Sequence, residues 1–214
     1  MEPQVTAQFL AALPPGSAPY QLDRRVKAPE SLARKIRDST SQRRRVPLDD
    51  VLRYTVLATS PDDLVSSARH TIDCLTDQDW RVTYAMHSYT DGSRYKGLHA
   101  YVAVPGVDRV EVQFHSPESV RIKEQTTAWY EIERGAGFST DERAAARQKC
   151  IELSASLSEP AGIGRLTTLG GRPVAVNNYS DSRQQPPPAA RLRTNEPHTV
   201  DQVSRMRTND GMTR

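Results

Sequence analysis

The segment LHAYVAVPGVDRVEVQFH, residues 98–115, constrains this chain more than any other. In its second half Val110, Val112 and Phe114 fall on one side of an extended strand and Glu111, Gln113 and His115 on the other, because successive strand side chains point to opposite faces. The turn PGVD joins this strand to LHAYVAV and suits an antiparallel hairpin. A sheet built on such a hairpin buries one face and presents an all-polar strip on the other. By spacing alone that strip is either an exposed surface or the floor of a site.

The flanking patterns predict what the hairpin packs with. PESLARKIRD opens with Pro29 and Glu30, which suit a first helical turn, and continues with good helix formers. VLRYTVLA reads as a strand, and SPDDLVSSARHTIDCL as a helix with Ser60 as N-cap, Pro61 at the first helical position and Leu64, Ala68, Ile72 and Leu75 at helical spacing. WRVTYAM is a third strand. SPESVRIKEQTTAWYEIER predicts a helix as far as Gly135, and STDERAAARQKCIELSASL a final one capped by Ser139 or Thr140. This order predicts an α+β fold with a mixed, largely antiparallel sheet flanked by helices. Residues 1–22, with the short amphipathic VTAQFLAAL closed by PPG, read as an N-terminal arm, and residues 23–158 as the domain. Residues 159–214, with Pro186, Pro187 and Pro188 and few aromatics, read as a mostly disordered tail, RPVAVNNY being a short strand candidate within it.

Charge says less than the pI of about 8.9 suggests. Residues 159–214 hold 8 Arg against 5 acidic residues, whereas residues 1–158 hold 21 basic and 21 acidic ones. The surplus of +3 therefore sits in the tail and does not bear on what the domain binds. No apolar run approaches the roughly 18 residues of a membrane span, and no signal peptide is visible at the start, so the expectation is a protein without a membrane partner, cytoplasmic or delivered outside as an effector by another route. Cys74 and Cys150 are too few for a zinc cluster and read as two reduced thiols, with one bridge between them left open. Gly-Lys-Ser/Thr loops, dinucleotide fingerprints and His-Glu-x-x-His are all absent, so phosphate chemistry needs another cradle.

Three groups supply candidates. In RVKAPESLARK, Lys27, Ser31 and Lys35 are four residues apart and share one face of a helix and its entry turn, with Arg25 just before them; the set is a phosphate comb or a solvated basic face. Asp50 directly precedes a strand and Glu111 lies on the polar side of another, so neighbouring strands would bring two carboxylates together, the protein ligands that Mg²⁺ commonly takes beside phosphate oxygens. RYKGLH offers Tyr95 for stacking on a base and His99 for a phosphate or ribose.

RVKAPESLARK, DVLRYTV, YKGLH and EVQFHSPES…KE…YE, in that order, resemble the RelA/SpoT-like synthetase domain, above all its small alarmone synthetase and toxin-like versions, over roughly Asp23 to Arg134. The resemblance implies a nucleotidyltransferase-like α+β fold and an ATP:nucleotide 3′-pyrophosphotransferase, GTP diphosphokinase-like, that moves the β,γ-pyrophosphate of ATP to the 3′-hydroxyl of a purine nucleotide, giving ppGpp- or ppApp-type products and AMP. It further implies Arg25 on the donor adenine, Lys27, Ser31, Lys35 and Arg53 in the ATP site, Asp50 (with Asp49 in reserve) and Glu111 on Mg²⁺, Glu111 also activating the hydroxyl, and Tyr95, His99, Gln113 and His115 toward the acceptor.

Two positions depart from the family pattern. Ser93-Arg94 stands where Asn-Gly often precedes the tyrosine, so Arg94 and Lys96 are the expected acceptor-phosphate contacts. Thr127 stands where a histidine follows the Lys-Glu pair, which leaves Lys123, Tyr130 and Glu131 without an assigned role. Competing expectations are pyrophosphorylation of the tRNA 3′ end, aided by Arg43, Arg44, Arg45 and the tail, and a non-catalytic nucleotide- or RNA-binding module. A cognate immunity or antitoxin protein is a further partner that the toxin-like branch implies.

Overall fold

The computed structural model describes residues 2–41 and 51–180; Arg43, Arg44, Arg45, Asp49, Asp50 and the proline cluster at Pro186 to Pro188 lie outside them. The described chain runs α1 (Glu2–Ala11), β1 (Ala18–Pro19), a 3₁₀ turn (Leu22–Arg24), α2 (Pro29–Ser41), β2 (Leu52–Leu57), α3 (Leu64–Thr76), β3 (Arg81–His87), β4 (Leu98–Val104), β5 (Val107–His115), α4 (Pro117–Arg134), α5 (Thr140–Ala155), a second 3₁₀ turn (Ile163–Arg165), β6 (Thr168–Leu169) and β7 (Arg172–Val176). This is the mixed α+β architecture expected. One sheet carries the strands in the order β1-β2-β5-β4-β3-β7-β6. β4 is antiparallel to both β3 and β5, whereas β2 runs parallel to β5 and β7 parallel to β3.

The hairpin sits at the centre of that sheet, as its alternation requires. Val110, Val112 and Phe114 are fully buried with Leu98, Ala100 and Val102 of β4 across from them. α3 lays Leu64, Ala68, Ile72 and Leu75 into the same core, the four positions that its helical spacing selected. The helix itself starts at Leu64: Ser60 sits one turn too early to cap it, and instead its hydroxyl takes the Asp63 N–H at 3.3 Å within the preceding turn. Ser116 and Ser139 do cap α4 and α5, each through a reciprocal capping box.

Both ends of the domain reach further than composition suggests. The stretch read as an arm is α1, whose Val5, Phe9 and Ala12 are buried; Phe9 stacks on Tyr54 of β2 at 4.5 Å between centroids. Gln8 accepts a hydrogen bond from the Trp80 indole, which ties the helix to the start of β3. At the other end the sheet continues past residue 158. Ile163, Leu166 and Leu169 are buried, and β7 pairs Ala85 with Val174 and His87 with Val176. These few apolar residues are too sparse to form a period, yet three of them suffice to seal one edge of the core.

Because Phe9 is completely buried against an aromatic partner, Phe9→Ala is expected to cost about 3–5 kcal/mol in equilibrium urea unfolding, as core truncations of this size do. A cost below about 1 kcal/mol would show that α1 is an appendage.

Candidate active site

The polar strip of β5 becomes the floor of a cavity because the neighbouring strands bring their own polar residues into register with it. Arg53 of β2 pairs with Glu111, Tyr101 of β4 pairs with Glu111 on its other side, and His99 pairs with Gln113. A cavity of ≈ 460 Å³ opens over these residues, within the ~300–1,000 Å³ usual for small-molecule sites. α2 contributes Lys35, α4 contributes Lys123, Thr126, Thr127 and Tyr130, α5 contributes Cys150, and the loop before β4 contributes Arg94 and Tyr95.

Glu111 is 4% exposed and is the chemical centre of the site. His99 Nδ1 lies 2.8 Å from its Oε1, the Gln113 amide donates to the same oxygen at 3.0 Å, and the Tyr101 hydroxyl donates to it at 3.4 Å. All three of these bonds end on Oε1. Burial opposes charge on this carboxyl, but the hydrogen bond and charge of His99, the amide of Gln113 and the nearby Arg53 together outweigh it and hold the group below the usual carboxylate range.

Behind Glu111 runs a chain of hydrogen bonds whose proton directions the partners dictate. Ser119 Oγ donates to Ser116 O (3.0 Å) and accepts from Ser116 N (2.9 Å), so it takes the His115 Nδ1–H at 3.0 Å. Burial, reinforced by Lys123, His99 and Arg53, pushes the His115 pKa far below its usual value, and the ring is neutral. Its bare Nε2 then accepts from the Tyr95 hydroxyl at 3.0 Å, and the same hydroxyl oxygen lies 3.0 Å from His99 Nε2. Gly97 makes this arrangement sterically feasible: a Cβ there would lie 2.6 Å from the Tyr95 hydroxyl and 2.9 Å from His99 Nε2. The Gly in YKGLH is thus a space requirement.

Of the residues singled out in the sequence, the structure gathers Lys35, Arg53, Arg94, Tyr95, His99, Glu111 and Gln113 around one cavity. Others are placed elsewhere. Arg25 pairs with Glu2 at 2.5 Å and with the carbonyl of Leu22, so its guanidinium is committed to α1 and is not on the cavity wall. Lys27 and Ser31 precede and open α2 without lining the cavity, the Lys27 N–H being bound to Val51 O at 2.9 Å. Lys96 lines a separate pocket of ≈ 210 Å³ with Tyr89, Asp91 and Glu159. His115 is buried behind Tyr95, where it orients the phenol instead of meeting a ligand. Asp50, the second expected metal ligand, falls outside the described residues, immediately before Val51.

Sequence reasoning left Lys123 and Tyr130 unassigned and overlooked Tyr101, Thr126, Cys150 and Tyr179, all of which line the cavity. A helical period of four would have shown Lys123, Thr127 and Tyr130 on one face. Lys123 donates to Gln113 at 3.3 Å, and burial, then the neighbouring Arg53, brings its pKa down to about 8. Arg94 is clamped by the buried carboxylate of Glu133, which also binds Arg147 at 2.8 Å, and lies over the Tyr130 ring at 5.8 Å. Both cysteines are free thiols. Among the described residues no helix is long and apolar enough to cross a membrane, and no three His, Cys, Asp or Glu side chains cluster as a metal cage.

Neither a family model nor a curated protein matches the chain. Among solved structures the chain is similar to the complex between the Type VI effector Tas1 and its immunity protein, at 14% identity over 73% of this chain and 89% of that one, with a TM-score of 0.45. It is similar also to a GTP pyrophosphokinase family protein from Streptococcus pneumoniae, at 16% identity over 77% and 81% with a TM-score of 0.44. A third likeness is to small alarmone synthetase 1 from Bacillus subtilis, at 13% identity over 72% and 84% with a TM-score of 0.45. At these identities the likeness is distant and one of fold, and the chemistry has to be read from the side chains.

Lys123 is charged at neutral pH at the expense of stability, since its pKa lies at about 8 against an ordinary 10.5. Lys123→Met is therefore expected to stabilise the protein at pH 7 by on the order of 2–3 kcal/mol in urea unfolding. Between pH 8 and 10.5 the unfolded wild-type chain binds the extra proton, so wild-type stability rises with pH and the advantage of the variant shrinks. An advantage that is absent or grows with pH would show that Lys123 is fully solvated.

Proposed function

We propose that this protein is a nucleotide 3′-pyrophosphokinase, which moves the β,γ-pyrophosphate of ATP to the 3′-hydroxyl of a purine nucleotide and releases AMP. The observation that carries this reading is a buried, ionised Glu111 lining a cavity that Lys35, Arg53, Arg94 and Lys123 also line. A carboxylate in that company is matched to a substrate set that brings many negative charges and one hydroxyl proton to be removed. Burial of Glu111 beside these cations favours an enzyme over a module that only binds nucleotide or RNA.

In the proposed reaction the acceptor 3′-oxygen forms a bond to the β-phosphorus while the bond from that phosphorus to the α-phosphate oxygen breaks. AMP departs with that oxygen, and the hydroxyl proton passes to the Glu111 carboxylate. Lys35, Arg53 and Lys123 offset the charge on the transferring phosphates, and such fixed charges act strongly where water is excluded. Gln113 and His99 hold the carboxylate in place through Oε1. Mg²⁺ fits this donor set, since it takes one or two carboxylates and fills its remaining positions with phosphate oxygens and water; Glu111, with Asp50 as the second ligand, would hold it, and it would supply further charge neutralisation. Tyr95 would stack on the acceptor base, its phenol kept neutral by burial and by the adjacent Tyr179 and Glu111.

The deciding experiment incubates the full chain with Mg²⁺ and ATP labelled in its β,γ-phosphates, offering GDP, GTP, ADP, AMP or tRNA in turn. Label is expected on a free purine nucleotide with stoichiometric AMP; label on tRNA alone, or on nothing, would displace the reading. Glu111→Gln, which keeps the shape of the side chain, is expected to lower turnover at least ~10²-fold, the scale of a lost general base, with the thermal midpoint retained. The pH profile supplies an independent check. ATP affinity in the wild type is expected to weaken as pH rises through about 8 and Lys123 loses its charge, and Lys123→Arg is expected to abolish that decline.

A further inference from the structure

One lining residue of the cavity, Tyr179, comes from beyond the last long helix. After β7 the chain lies along the loop that carries Arg94 and Tyr95 and bonds to it residue by residue. Asn177 N–H donates to His87 O at 2.9 Å, the Asn178 amide to Asp91 O at 3.0 Å and Tyr179 N–H to Ser93 Oγ at 3.3 Å, while Ser180 Oγ accepts from Arg94 N–H at 3.0 Å. The ring of Tyr179 lines the cavity and stands at 89° to that of Tyr95, with 5.3 Å between centroids. Two perpendicular rings at that distance form a corner in which a flat heterocycle can lie on one face and meet the other edge to face. The Tyr179 hydroxyl points to Met86 Sδ at 3.8 Å, so it is the ring, not the phenol oxygen, that is offered to a ligand.

We propose that Tyr179 is the second aromatic wall of the acceptor-base subsite, and that the segment Asn177 to Ser180 positions the Tyr95 loop against it. This rests on the nucleotide-transfer reading and extends it to a part of the chain that none of the expected site motifs covers. The subsite takes a planar heterocyclic base and reads it by shape and stacking. Loss of the wall therefore weakens the acceptor and leaves the donor, which the proposed reaction assigns to Lys35, Arg53 and Lys123, nearly untouched.

The test uses the full chain with Mg²⁺ and saturating α,β-methylene-ATP, into which GDP and ADP are titrated calorimetrically. Because stacking on an aromatic ring contributes roughly 1–3 kcal/mol per base by alanine substitution, Tyr179→Ala is expected to weaken whichever of the two binds by about 5- to 100-fold. The affinity for α,β-methylene-ATP is expected to change less than about 3-fold. Tyr179→Leu keeps apolar bulk in case the alanine variant fails to fold, and the same loss is expected; Tyr179→Phe is expected to restore affinity, since the hydroxyl is turned away. Acceptor affinity unchanged in Tyr179→Leu overturns this assignment while leaving the proposed reaction standing. Equal losses of acceptor and donor analogue also overturn it, as they would mark Tyr179 as merely structural. If the wild-type protein binds neither GDP nor ADP, the assignment falls together with the reading beneath it.

Discussion

A carboxylate buried in the middle of a sheet is the condition on which the other features of this structure depend. Leaving Glu111 charged at 4% exposure without partners would cost several kcal/mol, so the strands around it have to deliver partners at fixed positions. They do so through register: Arg53 from the parallel strand β2, Tyr101 and His99 from the antiparallel strand β4, and Gln113 two residues along on β5. A slip of one residue would aim Val110 and Val112 at the cations and turn Glu111 into the apolar core. The hairpin register is thereby fixed twice, by the hydrocarbon on one face and by the charge on the other.

The same network reaches into the helix that covers the site. Ser119 closes the capping box of α4 through its bonds with Ser116, and its hydroxyl oxygen also receives His115. His115 in turn aims the Tyr95 phenol, which meets His99 and through it Glu111. One serine hydroxyl thus helps decide where α4 begins, which nitrogen of His115 carries its proton and how the aromatic loop sits. Gly97 belongs to this arrangement, because any side chain there would push Tyr95 off His99.

How much of this was legible in the sequence varies with the range of the interaction. Strand alternation in residues 109–115 and helical spacing from Leu64 to Leu75 are local signals, and both faces came out as expected. Glu111, Gln113, His99 and Tyr95 were legible as a site because short motifs carry them on elements with a clear period. Arg25 was not, since its partner Glu2 sits in a segment whose short apolar pattern looked like an arm, and the packing of α1 on the sheet, with Phe9 stacked on Tyr54, brings the two together. Lys96 and His115 sit next to true cavity residues in sequence and face elsewhere, which motif spacing does not resolve. Tyr179 was illegible because it follows a strand of five residues in a composition typical of tails, and its place at the cavity depends on the parallel pairing of β7 with β3 and on the bonds of the following residues to the loop at Asp91 to Arg94.

The charge balance of the domain hides a strong local imbalance. Over residues 1–158 basic and acidic side chains are equal in number, yet among the described residues Lys35, Arg53, Arg94 and Lys123 line the cavity beside the carboxylate of Glu111, with Glu133 held behind Arg94. Their mutual repulsion in a poorly solvated space is visible in Lys123, whose pKa is brought down by burial and by Arg53. A polyphosphate among these groups supplies the missing negative charge and raises that pKa again, so binding takes up protons above about pH 8 and stabilises the fold by the same interactions. Lys123 is therefore unfavourable for the protein alone and becomes favourable once an anion lies beside it.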